Sequence, residues 1–145
     1  QKVIDFFPEY NTKELDPRIY DLSIRHLITM KSGFEIKETG KVYQRLYKSN
    51  DWIEHILHLP FESAPGKIFN YHSFNTHLLS ATITKATGMS TLEYATQVLF
   101  TPLGITKVFW EKDPNGYYIG GWGLSLKAQD MAKFGMLYIN DGFFQ

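Results

Sequence analysis

The sequence predicts a mainly α chain with one small β-hairpin, and three observations carry that expectation. Apolar residues recur at helical spacing in about five segments, and capping residues stand ahead of most of them. A single Asn-Gly turn separates two short aromatic and β-branched runs. The length of 145 residues fits one domain, and a chain of about 150 residues buries roughly two-thirds of its unfolded surface. No internal repeat or low-complexity stretch interrupts it, so the expected organisation is one unit over residues 1–145, with the hairpin at about 106–122.

Val3 to Phe7 is a short apolar piece stopped by Pro8, and Glu9 to Pro17 reads as loop. Ser23 stands as N-cap before Ile24, Leu27 and Ile28, and Gly33 is expected to close that helix. Residues 35–48 are weakly periodic and read as an irregular, exposed excursion. Asp51 and Glu54 have capping-box spacing ahead of Ile56, Leu57 and Leu59, in a helix that ends before Pro60. Ser73 opens a longer helix through Phe74, Leu78 and Ala81 to a stop at Gly88. Ser90 and Glu93 form a second capping box, and Thr101-Pro102-Leu103-Gly104 ends the helix it starts. Val108-Phe109-Trp110 and Tyr117-Tyr118-Ile119 flank Asp113-Pro114-Asn115-Gly116 as the hairpin. Ser125 is expected to cap a last helix through Met131, Phe134, Leu137 and Tyr138, which stops at Asn140-Asp141-Gly142.

Charge and composition exclude several functions. The 15 Lys+Arg balance 15 Asp+Glu, and no basic cluster supplies the field that a nucleic-acid or anionic-membrane binder needs. The absence of cysteine removes disulfides, Cys-type zinc sites and a thiolate nucleophile. No apolar run approaches the ~18 residues of a bilayer span. Five histidines, His26, His55, His58, His72 and His77, lack a His-Glu-x-x-His pattern or a third ligand at convincing spacing, so no metal or other cofactor is expected. Gly120-Gly121-Trp122-Gly123 lacks a dinucleotide or Walker pattern, and a tight bend needing small residues explains it better than phosphate binding.

Serine chemistry leaves fewer traces. Neither Gly-x-Ser-x-Gly nor Ser-x-x-Lys occurs in the 145 residues. Thr82-Ile83-Thr84-Lys85 only echoes Ser-x-x-Lys, and Lys31-Ser32-Gly33 only imitates a Lys-Ser/Thr-Gly triplet, because both sit in or at the end of helices. What remains is Phe69-Asn70-Tyr71-His72-Ser73, the lead-in to a helix. A tyrosine there can face a cleft and act as a base if cations lower its pKa from about 10. By its residues alone it reads more simply as a half-buried core tyrosine before a serine N-cap.

The order of segments resembles a known family. Val3 to Glu9 resembles the stretch that leads away from a nucleophile helix, and Ile24-Arg25-His26-Leu27-Ile28-Thr29-Met30-Lys31-Ser32-Gly33-Phe34 resembles its "IRHLLTHTSGL" segment. Pro65 to Ser73 is similar to a "PG-x-x-F-x-Y-S-N/S" block. Thr87-Gly88-Met89, Pro102-Leu103-Gly104-Ile105 and Gly121 to Phe134 follow in order. Together they resemble the serine β-lactamase and penicillin-binding-protein superfamily, in its class C β-lactamase, esterase and 6-aminohexanoate-dimer hydrolase branch. Trp110, Asp113 and Gly116, with Asp130-Met131-Ala132-Lys133-Phe134-Gly135, tilt the likeness toward the esterase and amide-oligomer relatives.

The resemblance implies the helical region of the β-lactamase/transpeptidase-like α/β fold, with most of its large antiparallel sheet missing. It implies Tyr71 as general base and acid, and Ser73 as holder of the hydrogen-bond network. Serine in place of the commoner asparagine at 73 favours ester or amide turnover over antibiotic hydrolysis, whereas Met30-Lys31 in place of His-Thr has no evident meaning. The implied partner is a small ester, amide, β-lactam or D-amino-acid peptide, handled by a parent found in the periplasm, secreted or anchored to a membrane. Because the chain starts at Gln1 and ends on Gly142-Phe143-Phe144-Gln145, both ends are expected to be internal to a longer protein. Ser-x-x-Lys and the Lys-Thr-Gly-like strand would then lie outside it, and the piece alone would be inactive. The rival expectation is a stand-alone helical binding module with Tyr71 and Trp122 on its recognition surface.

Overall fold

The computed structural model of the chain describes residues 1–35 and 40–144. Among the described residues, six α-helices carry the architecture: α1 Ile24–Ile28, α2 Gly40–Lys48, α3 Trp52–Leu57, α4 Ser73–Thr87, α5 Thr91–Ala95 and α6 Ala128–Ile139. A two-stranded antiparallel sheet, β1 Phe109–Trp110 and β2 Leu124–Ser125, joins them. The mainly α expectation holds.

Local chemistry explains where most helices start and stop. Ser23 accepts the His26 N–H, while the His26 ring accepts the Ser23 N–H, closing a capping box at α1. Asp51 accepts from Glu54 N–H at 2.9 Å to start α3. Ser90 and Glu93 close the second reciprocal box at α5, and Gly88 ends α4 in the left-handed conformation that lacks a Cβ penalty. After α5 the chain continues as one π turn, Thr96–Phe100, before Gly104 turns it away.

Several boundaries differ from expectation. The stretch 35–48 is not irregular over its second half: Gly40–Lys48 is helical, and residues 36–39 lie outside the described residues. Val42, Tyr43, Leu46 and Tyr47 form one stripe there, with Leu46 fully buried. α1 ends at Ile28, with Thr29 as its C-cap, rather than at Gly33, because Met30 itself takes a positive φ of 55°. His72, not Ser73, occupies the N-cap of α4, and Ser73 is its first residue. Lys127, not Ser125, precedes α6, since Ser125 is consumed in β2. The segment before α1 holds three short 3-10 turns, Ile4–Phe6, Pro8–Tyr10 and Pro17–Asp21.

The hairpin has a different pairing. Asp113 and Tyr117 close the turn, with Lys112 bridging Tyr118, but Phe109 pairs with Ser125 and Trp110 with Leu124. Tyr117 to Ile119 therefore supplies only the inner rungs. The outer arm resumes after Gly120-Gly121-Trp122, which bulge out of the ladder. A Cβ on Gly120 would stand 2.0 Å from the Thr76 carbonyl oxygen, and one on Gly121 2.4 Å from the Ser73 Cβ. The small residues are needed where the bulge lies on α4.

α4 packs against α1, α3 and α5. Phe74, Leu78 and Ala81 of α4 join Leu27, Ile53, Ile56, Leu57 and the N-terminal Val3 and Phe7 in the main core. Complete burial of such side chains contributes roughly 1.5–3 kcal/mol each. A second, smaller core gathers Phe100, Leu103 and Ile105 under Leu92, Trp110 and Phe134. Among the described residues no helix is long and apolar enough to cross a membrane.

Candidate active site

Residues 60–70 run alongside residues 30–35 and are stitched to them by backbone bonds. Glu35 N–H donates to Pro60 O at 2.7 Å, Glu62 N–H to Gly33 O at 2.9 Å, Gly66 N–H to Lys31 O at 2.8 Å, and Asn70 N–H to Met30 O at 2.8 Å. Gly33 is required here by close approach, since its Cβ would lie 2.4 Å from the Ser63 carbonyl oxygen. Phe34 and Phe61 stack at 4.6 Å between centroids beneath this seam. The loop that delivers Tyr71 is thus held along its length.

At its end the chain is extended, so successive side chains alternate. Tyr71 faces outward, 60% exposed, and His72 faces inward with no exposure. The half-buried core reading of Tyr71 is therefore wrong: the alternation that buries His72 expels its neighbour. His72 Nε2 lies 3.1 Å from Ser32 Oγ, itself buried. This serine–histidine pair has the elements of a nucleophile and its base, but sealed from solvent it serves as a structural tie.

Ser73 sits in the first turn of α4. Tyr43 of α2 donates its hydroxyl hydrogen to Ser73 Oγ at 3.3 Å, and Gly121 presses on the Ser73 Cβ from the bulge. Trp122, re-aimed by the same bulge, meets Tyr43 edge-on at 5.5 Å and lies 5.8 Å from Trp52. Tyr71 and Ser73 come together only as neighbours in one chain segment, with Tyr71 open and Ser73 half-buried. Period-2 alternation through residues 71–73 would have placed His72 inside; nothing in the sequence announced Tyr43, which comes from α2.

The remaining histidines have separate duties. His77 Nε2 meets Asp113 Oδ2 at 3.0 Å, both fully buried, and its Nδ1 accepts the Gly120 N–H at 3.4 Å. With Nδ1 accepting, Nε2 carries the hydrogen and donates to the carboxylate, tying the hairpin turn to α4. His58 Nδ1 lies 2.8 Å from the Glu54 carbonyl oxygen. Burial pushes the His55 imidazole below its ordinary pKa, helped by Arg45 and His58. Among the described residues no group of three or more His, Asp or Glu is arranged to hold a metal ion.

Residues 1–142 match the family model described as Beta-lactamase. No curated protein matches the chain. Among solved structures it is similar to a Bacillus anthracis protein provisionally named a 6-aminohexanoate-dimer hydrolase, with TM-score 0.81 and 19% identity over 100% of this chain and 42% of that one. FmtA from Staphylococcus aureus gives TM-score 0.70 at 16% identity, covering 99% of this chain and 46% of that one. A D-stereospecific amidohydrolase from Streptomyces gives 0.66 at 15% identity, over 94% and 52% respectively. The chain spans about half, or less, of the length of these relatives, and at such identities the likeness is one of fold. With a family match that leaves only the last three residues unmatched, and with its helices laid out as in these structures, the chain belongs to the beta-lactamase family.

Proposed function

We propose that this chain carries the tyrosine motif of a serine hydrolase that cleaves an ester or amide through an acyl-serine, and that the 145 residues alone are inactive. The observation that carries the reading is the exposed Tyr71 at the end of a loop fixed by four backbone bonds, directly before α4. A proton-transfer group needs that combination of access and fixed position. In acylation Tyr71 would take the proton of the attacking serine hydroxyl as the C–O bond forms, then give it to the departing alcohol or amine. Ser73 would anchor the hydrogen-bond network behind it, clamped by Tyr43 and Gly121.

An unperturbed phenol titrates near ~10, so the base role requires a cation beside the hydroxyl. The nucleophile and that cation are assigned to a Ser-x-x-Lys outside this sequence, which contains none. The amide and ester preference takes support from the two amide-cleaving names among the similar structures and from serine at 73.

The test is made in a longer protein that joins this chain to a Ser-x-x-Lys segment. Phosphonylation by a fluorophosphonate, with loss of fluoride, is expected at that serine, and Tyr71→Phe should slow it by at least ~100-fold, the usual scale of a lost general base. A Tyr71→Phe protein phosphonylated at the unmodified rate would exclude Tyr71 from proton transfer.

A further inference from the structure

Met30 stands where the sequence departs from the family segment it resembles, and the structure gives it a contact on each side of the tyrosine motif. Its carbonyl oxygen accepts the Asn70 N–H at 2.8 Å, one residue before Tyr71. Its thioether sulfur accepts from Asn75 Nδ2 at 3.4 Å, two residues after Ser73. Asn75 is completely buried, so its amide hydrogens need an acceptor within the protein. Met30 also has φ 55°, one of two non-glycine residues with positive φ among those described. Glycine would hold that backbone without strain. What methionine adds is the sulfur contact.

We propose that Met30 is a positioning residue for Tyr71. Its carbonyl fixes the loop ahead of Tyr71, and its sulfur fixes the first turn of α4 behind Ser73, so one residue braces the Tyr71-His72-Ser73 segment from both ends. The meaning of this brace rests on Tyr71 being the functional tyrosine. Its test needs no turnover, so the two readings can fail separately.

The measurement is nuclear magnetic resonance on the 145-residue chain with ring-labelled tyrosine. It reads the ring resonances of Tyr71 and the hydrogen exchange of the Asn70 amide, with Tyr20 as an internal reference. Met30→Leu keeps the apolar volume and loses the acceptor, whereas Met30→Gln keeps an acceptor at similar reach. Asn75→Leu removes the donor. Met30→Leu and Asn75→Leu should each speed Asn70 exchange by about tenfold, through local opening, and move the Tyr71 ring resonances while those of Tyr20 stay in place. The double variant should go no further than either single one, and Met30→Gln should behave as the unmodified chain. Additive effects in the double variant, or a Met30→Leu chain in which either the Tyr71 ring resonances or the Asn70 exchange is unchanged, overturn the proposal. Should Asn75→Leu unfold the chain, the contrast between Met30→Leu and Met30→Gln decides alone.

Discussion

His26 shows how one side chain can serve two parts of the fold. Its Nδ1 accepts the Ser23 N–H at 3.3 Å, and a Cβ on Gly66 would lie 3.0 Å from its Nε2. Burial, then the charges of Lys2 and Arg25, hold its pKa below the ordinary 6.5, with Asp21 opposing them. The neutral ring is the form the fold favours, so its contribution is complete above that ordinary value and is lost as pH falls through the lowered one. Unfolding in urea should accordingly show stability falling from pH 7 toward pH 5. His26→Gln, which retains a capping acceptor but does not titrate, should reduce that fall. An equal fall in both proteins would show that protonation of His26 is not its source. Gly66 has φ 89° as well as the His26 contact. Gly66→Ala should therefore cost about 1–3 kcal/mol by the same measurement, through strain and crowding together. At this scale the capping serines and the Pro65-Gly66 turn were legible, because each acts on residues within a few positions of itself. Tyr43, Met30 and Asp113 were not, because their partners Ser73, Asn75 and His77 lie tens of residues away in the chain.

Among the elements, α1, α3 and α5 were legible from their capping residues, and α4 and α6 from apolar spacing and their stops, whereas α2 was not. α1, α3 and α5 begin on Ser23, Asp51 and Ser90, which satisfy the free N–H groups of a first turn. α2 has a proper apolar stripe but only nine residues, and what buries it is tertiary contact with α3. The hairpin was misread for a related reason. Its turn chemistry is local, yet the ladder is interrupted so that Gly120 and Gly121 can reach α4, a requirement that no pairing rule contains. That bulge gives a direct prediction. In Gly121→Ala the new methyl group meets Ser73 at 2.4 Å, so the thermal midpoint should fall by an amount worth roughly 1–3 kcal/mol. A variant within ~0.5 kcal/mol of the parent, the range of ordinary surface changes, would show that the bulge does not press on α4.

The whole molecule is a helical body around α4, with a second small core under α6, and it presents one tyrosine on a fastened loop. The family was readable from segments in order, whereas the tyrosine's exposure was not, since a tyrosine before a serine N-cap reads as half-buried core. The proposed chemistry is divided, with Tyr71 here and the nucleophile elsewhere. The decisive experiment incubates the 145-residue chain with nitrocefin and p-nitrophenyl esters, followed by mass spectrometry after fluorophosphonate or penicillin treatment. No turnover above buffer and no covalent adduct are expected. Turnover that Tyr71→Phe abolishes, or an adduct on any residue of this chain, would overturn the division.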